Sequence, residues 1–298
     1  MSVILETKLT LPLVYRGKVR DTYDLGDKLL LIATDRISAF DFVLPCGIPD
    51  KGLVLNQLSS FWFSKTKHII PNHLVASIDT NNSLKDCFPT AMPIPNYLVG
   101  RSMIVHKAER VPVEAVVRGY ISGSAWVEYE KSGTISGMPQ PKSMKESQVL
   151  TQPLFTPTTK ADSGHDMPLS KKELENLVGK NIALELEEKS LAIYQYARSY
   201  AQGREIIIAD TKFEFGFIDG KLSLIDELLT PDSSRFWDAT KYIIGRSQPS
   251  YDKQPVRDWL SASGWNKQPP APMLPQKIIE ETTERYRTAY KKLVGKEL

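Results

Sequence analysis

Cysteine is scarce in this chain of 298 residues, in which only Cys46 and Cys87 are present. The two cysteines are too far apart in the sequence for a zinc or redox motif. They are also too few for the many disulfides of a small secreted protein. Two cysteines still leave room for one disulfide. The scarcity of cysteine favours a reduced, intracellular setting.

Long hydrophobic runs and an excess of one charge are also missing. No segment reaches the roughly 20 apolar residues of a membrane-spanning helix, and the first residues show no basic region followed by an apolar run. Lys and Arg (38) nearly balance Asp and Glu (35), which gives a net charge of +3. This balance disfavours nucleic acid or a membrane as the main partner. We therefore expect a soluble, cytoplasmic, monomeric enzyme.

Hydrophobic periodicity predicts a mixture of helices and strands without internal repeats. The predicted elements are a hairpin over 14–34 that turns near Gly26, a helix over 56–67, β segments over 97–107 and 111–117, and helices over 182–202 and 276–293. The inward face of the helix over 182–202 is predicted to consist of Leu184, Leu191, Tyr194, Ala197 and Ala201. Ser170 and Glu173 fit a capping box.

The segment over 210–216 combines charged residues with the pattern of a β-strand. Side chains alternate between the two faces of a strand. One face therefore carries Asp210, Lys212 and Glu214, and the other carries Thr211, Phe213 and Phe215. Carboxylates on a rigid strand suit Mg²⁺, which takes oxygen ligands and bridges to phosphates. The pattern favours nucleotide chemistry on the charged face.

A hairpin that turns at Asp219-Gly220 leads from this strand to Asp226. A two-residue turn pairs Phe215 with Leu224 but places Asp226 on the face opposite Glu214. A three-residue turn with a glycine bulge brings both carboxylates to one face. A shared metal requires that bulged register or a local kink, and we predict the bulged register. The alternative to a metal site is a charged outer face of the hairpin.

Three cations, Arg16, Lys18 and Arg20, alternate along the first predicted strand. On one shared face they could grip an oligophosphate, and the alternative is a solvated edge strand protected by its charge.

Arg118 precedes a cluster of glycine and serine and a predicted helix start at Ser122 or Ser124. Free N–H groups at a helix start bind anions, and Arg118 adds a bidentate donor. The alternative is an ordinary helix cap. Further along, Lys160 is a candidate to neutralise a bound anion, and His165 or Asp166 a candidate to orient a nucleophile.

These segments, in this order, resemble the SAICAR synthetase (phosphoribosylaminoimidazole-succinocarboxamide synthase) family in its single-function form, over nearly the whole chain. The matching motifs are Gly17-Lys18-Val-Arg-Asp21, Ser38-Ala-Phe-Asp41, Val117-Arg-Gly-Tyr120, Lys212-Phe-Glu-Phe-Gly216 and Thr230-Pro-Asp-Ser-Ser-Arg235. The resemblance implies a two-lobed, ATP-grasp-like α+β fold with antiparallel sheets and a helical C-terminal part. We expect the lobes to span 1–110 and 111–298, with the helical tail over about 236–298.

The resemblance also implies a reaction, namely ATP-dependent ligation of L-aspartate to CAIR, 5-amino-1-(5-phospho-D-ribosyl)imidazole-4-carboxylate. The products are SAICAR, ADP and phosphate, and the implied cofactors are ATP and Mg²⁺. The implied nucleotide group is Arg16, Gly17, Lys18, Val19, Arg20, Glu114, Lys212, Glu214 and Asp226, with Glu214 and Asp226 as the metal ligands. The implied substrate group is Asp41, Arg118, Ser122, Ser124, Lys160, Asp166 and Arg235.

The implied reaction explains why residues of these types are needed. A carboxylate is a poor acylating agent, so ATP first converts it to an acyl phosphate, which the aspartate amine displaces. Metal ions and fixed cations such as Lys212 stabilise the charge on the phosphoryl oxygens. The amine loses protons, and Asp41 or Asp232 is the candidate to accept one. A small-molecule kinase would need the same acids and lysine, and a nucleotide-sensing module would bind ATP without turnover.

Overall fold

The structure is a computed structural model that describes residues 3–83, 88, 95–160 and 166–298. Cys87 and His165, both singled out in the sequence, lie outside the described residues. Cys46 is a buried free thiol. Among the helices that the structure describes, none is both long and apolar enough to cross a membrane.

Strands occur from Leu13 to Asp238 with helices between them, and the described elements from Gln254 onward are helices. The strands are β1 (Leu13–Arg16), β2 (Arg20–Asp24), β3 (Lys28–Ala33), β4 (Arg36–Ala39), β5 (Phe42–Gly47), β6 (Leu74–Ser77), β7 (Ser102–His106), β8 (Glu109–Tyr120), β9 (Thr134–Ile135), β10 (Met138–Pro139), β11 (Val149–Phe155), β12 (Thr158–Thr159), β13 (Ile206–Ile218), β14 (Lys221–Ile225) and β15 (Ser234–Asp238). The α-helices are α1 (Lys51–Thr66), α2 (Ser124–Ser132), α3 (Lys171–Val178), α4 (Lys180–Gln202), α5 (Gln254–Ala262) and α6 (Gln276–Val294).

Two antiparallel sheets organise these elements. The first has the order β1-β2-β3-β7-β6, and the larger one has the order β11-β8-β13-β14, with β12 joined to β8 and β15 joined to β13. Two short hairpins, β4–β5 and β9–β10, stand apart from the sheets. The antiparallel sheets and the C-terminal helices confirm the predicted α+β class.

One large hydrophobic core joins both sheets. It includes Trp62 of α1, Met103 of β7, Phe213 of β13 and Tyr194 of α4. The chain passes from the first sheet to the larger one between β7 and β8, close to the predicted lobe boundary, but the core is continuous across that point. The division into two lobes therefore stays a prediction.

Several predicted elements are confirmed. Helices α4 and α6 match the predicted spans within two residues, and Ser170 forms the capping box with Glu173 at the start of α3. The hairpin that turns near Gly26 is formed by β2 and β3. One inward position was wrong, because the Leu184 side chain is 44% exposed while Ala183 and Leu186 are buried.

Helix α1 begins five residues earlier than predicted, at Lys51. It is buried on most sides, including its charged first residue. Charged residues are usually exposed, but the lysine at the start of this helix is buried. The sequence pattern therefore placed the helix start too late.

The prediction that three alternating cations lie on one strand is wrong. Strand β1 ends at Arg16, a tight turn covers Gly17 to Val19, and β2 begins at Arg20. The Gly17 N–H donates to the Arg20 carbonyl at 2.7 Å and closes this turn. Arg16, Lys18 and Arg20 therefore lie on two strands and the turn between them, and they do not share one face.

Candidate active site

The charged face of β13 lies at the centre of the candidate site. The predicted alternation is confirmed, because Thr211, Phe213 and Phe215 are fully buried on one side. The charged residues of the strand lie on the other side. The register pairs Asp210 with Arg118 of β8 and with Arg235 of β15, and it pairs Glu214 with Glu114 of β8. Three neighbouring strands therefore contribute charged residues to one surface.

We call the first group of these residues the basic end, which consists of Asp210, Arg118, Arg235, Ser122 and Ser124. Both guanidinium groups contact the Asp210 carboxylate, Arg118 at 3.5 Å and Arg235 through a short hydrogen bond. Arg118 also donates to Thr156 Oγ1 at 3.1 Å and to Ser124 Oγ at 3.4 Å. Two arginines on one carboxylate leave a net positive charge. This cluster can bind an anion such as a phosphate or a carboxylate.

The start of α2 reaches the basic end through Gly123. This residue is the N-cap and has φ 56° and ψ −130°, a backbone conformation open mainly to glycine. A Cβ atom added there would lie 2.4 Å from Nη2 of Arg235. The absent side chain lets the arginine pack against the helix start, where free N–H groups favour an anion.

We call the opposite group the acidic end, which consists of Glu114, Glu214, Asp226 and Glu227. Four residues of strand separate it from the basic end, or about 13 Å at the usual rise per residue. Lys160 Nζ lies 2.9 Å from Glu114 and 2.7 Å from Glu214. Burial lowers the pKa of Lys160, but the charges of Glu214 and Glu114 outweigh burial and raise it.

The two lysines differ in how strongly they are held. Lys160 was grouped with the substrate arginines, but the structure brings it to the acidic end instead. Lys212 contacts Glu114 at 2.6 Å, and its side chain is 52% exposed. Because β13 places it between the two ends, Lys212 has access to a ligand that spans both.

The hairpin register was predicted wrongly. The structure pairs Phe215 with Leu224 and Ile218 with Lys221 across a two-residue turn, without the glycine bulge. Asp226 follows β14 directly and has φ 67°, in the left-handed region. This local kink, which was the other way to satisfy the metal hypothesis, brings its carboxylate back toward Glu214.

Electrostatics shows that the two carboxylates interact. Burial, and after it the negative charge of Asp226, raise the pKa of Glu214 to about 7. Arg20 Nη2 lies 2.6 Å from Asp226. Burial alone would raise the pKa of Asp226, but Arg20 outweighs burial and lowers it.

Glu227 is a residue that the sequence did not single out. It lies 3.9 Å from Arg20, and its Oε2 atom is buried without a hydrogen-bond partner. Burial raises its pKa to about 7. Its only signal in the sequence is its position beside Asp226, in a stretch that is otherwise apolar.

The turn over Gly17 to Val19 carries the nucleotide residues that the resemblance implied. Lys18 Nζ contacts Asp41 at 2.6 Å, and both side chains are more than half exposed. Asp41 occupies the turn between β4 and β5 with φ 68°. Arg16 points elsewhere, because its guanidinium group contacts Glu6 and Asp21.

Asp232 lies in a buried network of charges. Its carboxylate accepts from Lys51 Nζ at 2.6 Å and from the Tyr286 hydroxyl at 2.5 Å, and Lys253 lies 3.9 Å away. Burial would raise the pKa of Asp232, but Lys253 and Lys51 outweigh burial and lower it well below its usual range. Such a carboxylate is a weak proton acceptor.

Asp166 lies just after the residues that the structure leaves undescribed and is half-buried. Its predicted contact with substrate stays a prediction.

The comparisons with known proteins agree with one another. The family model for SAICAR synthetase matches residues 13–272. The phosphoribosylaminoimidazole-succinocarboxamide synthase of Thermodesulfovibrio yellowstonii is 53% identical, and the alignment covers 99% of each chain. The enzyme of the same name from Elusimicrobium minutum is 48% identical over 96% of this chain and 97% of that one.

A solved structure shares the whole fold. The SAICAR synthase from Saccharomyces cerevisiae, complexed with SAICAR, has a TM-score of 0.90 and 44% identity, and the alignment covers 99% of each chain. The charged surface on β8, β13 and β15 is consistent with the family match and with the shared fold. This chain therefore belongs to the SAICAR synthetase family and is a ligase of purine biosynthesis.

Proposed function

We propose that this chain joins L-aspartate to CAIR with ATP and releases SAICAR, ADP and phosphate through an acyl phosphate. The observation that carries the proposal is the charged face of β13, with an acidic end and a basic end about 13 Å apart. The acidic end suits a metal-bound nucleotide, and the basic end suits a phosphorylated substrate. Family membership supports this division.

The residues of the acidic end fit Mg²⁺ in their chemistry. Mg²⁺ usually takes one or two carboxylates together with waters and substrate phosphates, and not an all-protein cage. In keeping with this, the part of the chain that the structure describes contains no group of three or more His, Cys, Asp or Glu side chains arranged as a metal cage. The raised pKa of Glu214 beside Asp226 indicates a negative charge that a cation would relieve.

Glu214 and Asp226 are the residues that would hold Mg²⁺. When bound there, the ion would neutralise charge on the phosphoryl oxygens of ATP. Lys212 and Lys18 would bind the phosphates from the two sides of the site, Lys212 from the strand and Lys18 from the turn. Lys18 would exchange its present contact with Asp41 for a phosphate oxygen. Arg20 would keep Asp226 charged. Arg16, engaged with Glu6, is not part of this proposal.

The basic end would hold CAIR. Arg118 and Arg235 are oriented by Asp210, so their remaining N–H groups are fixed donors for a phosphate or a carboxylate. Ser122, Ser124 and the first N–H groups of α2 add further donors. The yeast relative was solved with SAICAR, the product that this proposal assigns here.

The proposed reaction has two steps. An oxygen of the CAIR carboxylate attacks the γ-phosphorus of ATP, and ADP leaves. The aspartate amine then attacks the acyl carbon, and phosphate leaves with its bridging oxygen. Asp41, exposed at the rim of the site, is the better candidate to accept the amine proton, because Asp232 is buried between cations.

The test measures ADP release by the purified protein with CAIR, ATP and Mg²⁺, with and without L-aspartate. The proposal expects steady release only with L-aspartate, in equal amounts with SAICAR. Equal release without L-aspartate would identify a kinase or an ATPase instead. ATP binding without any release of ADP would identify a nucleotide sensor.

Other expectations from the sequence stay predictions. These are the cytoplasmic location, the monomeric state and the absence of nucleic acid or membrane partners.

A further inference from the structure

Arg36, the first residue of β4, is a buried arginine that has no role in the proposed reaction. Its side chain is 9% exposed, and Nη2 lies 2.7 Å from the fully buried carboxylate of Asp21. A buried ion pair is often no more stabilising than well-packed apolar side chains of similar volume. Stability alone therefore does not explain an arginine in this position.

The guanidinium group of Arg36 binds three separate segments of the chain. Nη2 donates to the Gly17 carbonyl at 2.9 Å as well as to Asp21 Oδ1, and Nη1 donates to the Leu5 carbonyl at 2.6 Å. A guanidinium is planar and holds its donors in fixed directions. The contacts with Asp21 and Leu5 therefore fix the donor that faces Gly17, the first residue of the proposed nucleotide turn.

The carbonyl on the other side of Lys18 is held from the same direction. The Val19 carbonyl accepts from both the N–H and the hydroxyl of Thr34, each at 2.9 Å. Thr34 lies two residues before Arg36, in the short connection between β3 and β4. This connection therefore binds both carbonyls that flank Lys18, and it restricts the backbone of the turn.

The bound carbonyl determines where the Lys18 N–H points. The peptide between Gly17 and Lys18 is trans, so the C=O of the first residue and the N–H of the second point in opposite directions. Because the Gly17 carbonyl faces the buried Arg36, the Lys18 N–H faces away from it. Gly17 has no Cβ and would allow this peptide to rotate if the arginine did not hold it.

We propose that Arg36 is a positioning residue, which holds the Gly17 carbonyl inward and so presents the Lys18 N–H to the phosphates of ATP. Backbone N–H groups that point out of a turn are suited to bind an anion. The inference rests on the proposed function, which assigns the turn over Gly17 to Val19 to the nucleotide. It adds a residue that contacts neither substrate and acts through the backbone of the turn.

The test compares Arg36→Lys with Arg101→Lys. A lysine at position 36 keeps a cation beside Asp21, but an ammonium group cannot reproduce the planar bridge from Asp21 to the turn. Arg101 is the matched control, because it is a buried arginine that also binds an aspartate and a carbonyl. Its Nη1 lies 3.1 Å from Asp35 and 3.3 Å from the carbonyl oxygen of Ala33. Neither contact involves the turn.

Two readouts are used, and neither depends on turnover. The first is the dissociation constant of the non-hydrolysable ATP analogue AMP-PNP with Mg²⁺, measured by calorimetry beside that of CAIR. A hydrogen bond to a charged group typically changes an equilibrium constant by tenfold or more, so Arg36→Lys should bind AMP-PNP at least about tenfold more weakly. Its affinity for CAIR should stay unchanged, and Arg101→Lys should bind both ligands as the unaltered protein does. The second readout is the direction of the Gly17 carbonyl in a crystal structure of Arg36→Lys.

A second variant keeps the test decisive if Arg36→Lys does not fold. Arg36→Met combined with Asp21→Asn removes both charges of the buried pair, so neither is left without its partner. It also removes the donor to the Gly17 carbonyl. This double variant should show the same selective loss of AMP-PNP affinity.

The inference is overturned if Arg36→Lys binds AMP-PNP as tightly as Arg101→Lys does, if its affinities for AMP-PNP and CAIR fall together, or if the Gly17 carbonyl keeps its direction. A Lys18→Ala protein separates this failure from failure of the proposed function. If that substitution leaves AMP-PNP affinity unchanged, the turn does not bind the phosphates and the proposed nucleotide site is wrong. If it weakens binding while Arg36→Lys does not, only the role of Arg36 is wrong.

Discussion

Glu214 and Asp226 show how two neighbouring acids prepare a cation site. Both are half-buried on one sheet face, and burial together with the charge of Asp226 raises the pKa of Glu214, while Arg20 keeps the pKa of Asp226 low. One carboxylate therefore stays charged and the other titrates near neutral pH. A cation bound between them competes with a proton for Glu214.

This competition predicts that metal affinity depends on pH. Because the pKa of Glu214 is raised to about 7, the protein holds an extra proton below that pH, and an incoming ion must displace it. Mn²⁺ affinity should rise between about pH 6 and pH 8 and approach tenfold per unit at the acidic end. Calorimetry in two buffers would detect the released proton. Affinity that is constant over this range, or a Glu214→Gln protein with the same slope, would contradict the prediction.

Gly123 gives a second prediction at this scale. In Gly123→Ala the new Cβ meets Arg235, and the backbone conformation is unfavourable for alanine. Displacing the arginine should raise the KM for CAIR by about tenfold or more, which is about 1.4 kcal/mol, with the KM for ATP nearly unchanged. Steady-state kinetics with each substrate varied would measure both constants.

Gly137→Ala is the matched control for backbone strain. Gly137 also has positive φ, but an added Cβ would meet nothing within 4 Å. If both variants raise the KM for CAIR equally, the contact with Arg235 is not the cause.

At the scale of elements, strand β13 was predictable and the hairpin that follows was not. In β13, Thr211, Phe213 and Phe215 alternate with charged residues. Burial of the apolar side chains is favourable, so this alternation determines which face of the strand is buried. The hairpin formed without the predicted bulge, and the direction of the Asp226 carboxylate depended on one dihedral angle that no periodic pattern encodes. The segment that pairs with the end of β14, from Pro71 to His73, is distant in the sequence, so local reasoning could not find it.

Helix α6 was also predicted within a residue, but its contacts were not. Tyr286 donates to Asp232, so the helix closes a buried network that includes Lys51 at the start of α1. The sequence places these residues far apart, and their charges suggested solvent exposure or catalysis. Only the fold brings them together.

This network predicts different consequences for two aspartates that were both proposed as proton acceptors. Asp232→Asn leaves Lys51 charged and buried without its partner, which typically costs 3–5 kcal/mol of stability. Asp41→Asn removes an exposed carboxylate, so it should leave stability unchanged and lower kcat by about 10²-fold or more.

Urea unfolding and single-turnover kinetics on both variants separate these effects. Because the pKa of Asp232 is depressed in the folded state, its stabilisation should be present above the pKa of the unfolded chain and lost as pH falls below it. An Asp41→Asn protein with normal kcat would remove Asp41 from the mechanism.

At the scale of the whole molecule, one continuous core supports both sheets and holds the two ends of the site at a fixed separation. Phe213 and Phe215 anchor β13 in that core, so the charged face above them is rigid. The family and the α+β class could be recognised from short motifs that occur in one order along the chain. The contacts of Lys160 with Glu114 and Glu214 could not be predicted, because strand pairing alone brings these partners together, and its role toward the substrate stays a prediction.

The central claim is that this surface transfers a phosphoryl group to the carboxylate of CAIR before the amide forms. The most direct test uses CAIR with ¹⁸O in its carboxylate, together with ATP, Mg²⁺ and L-aspartate, and mass spectrometry of the released phosphate. The account predicts that each phosphate formed carries one ¹⁸O atom from CAIR. Phosphate that contains no ¹⁸O, with SAICAR still formed, would contradict it.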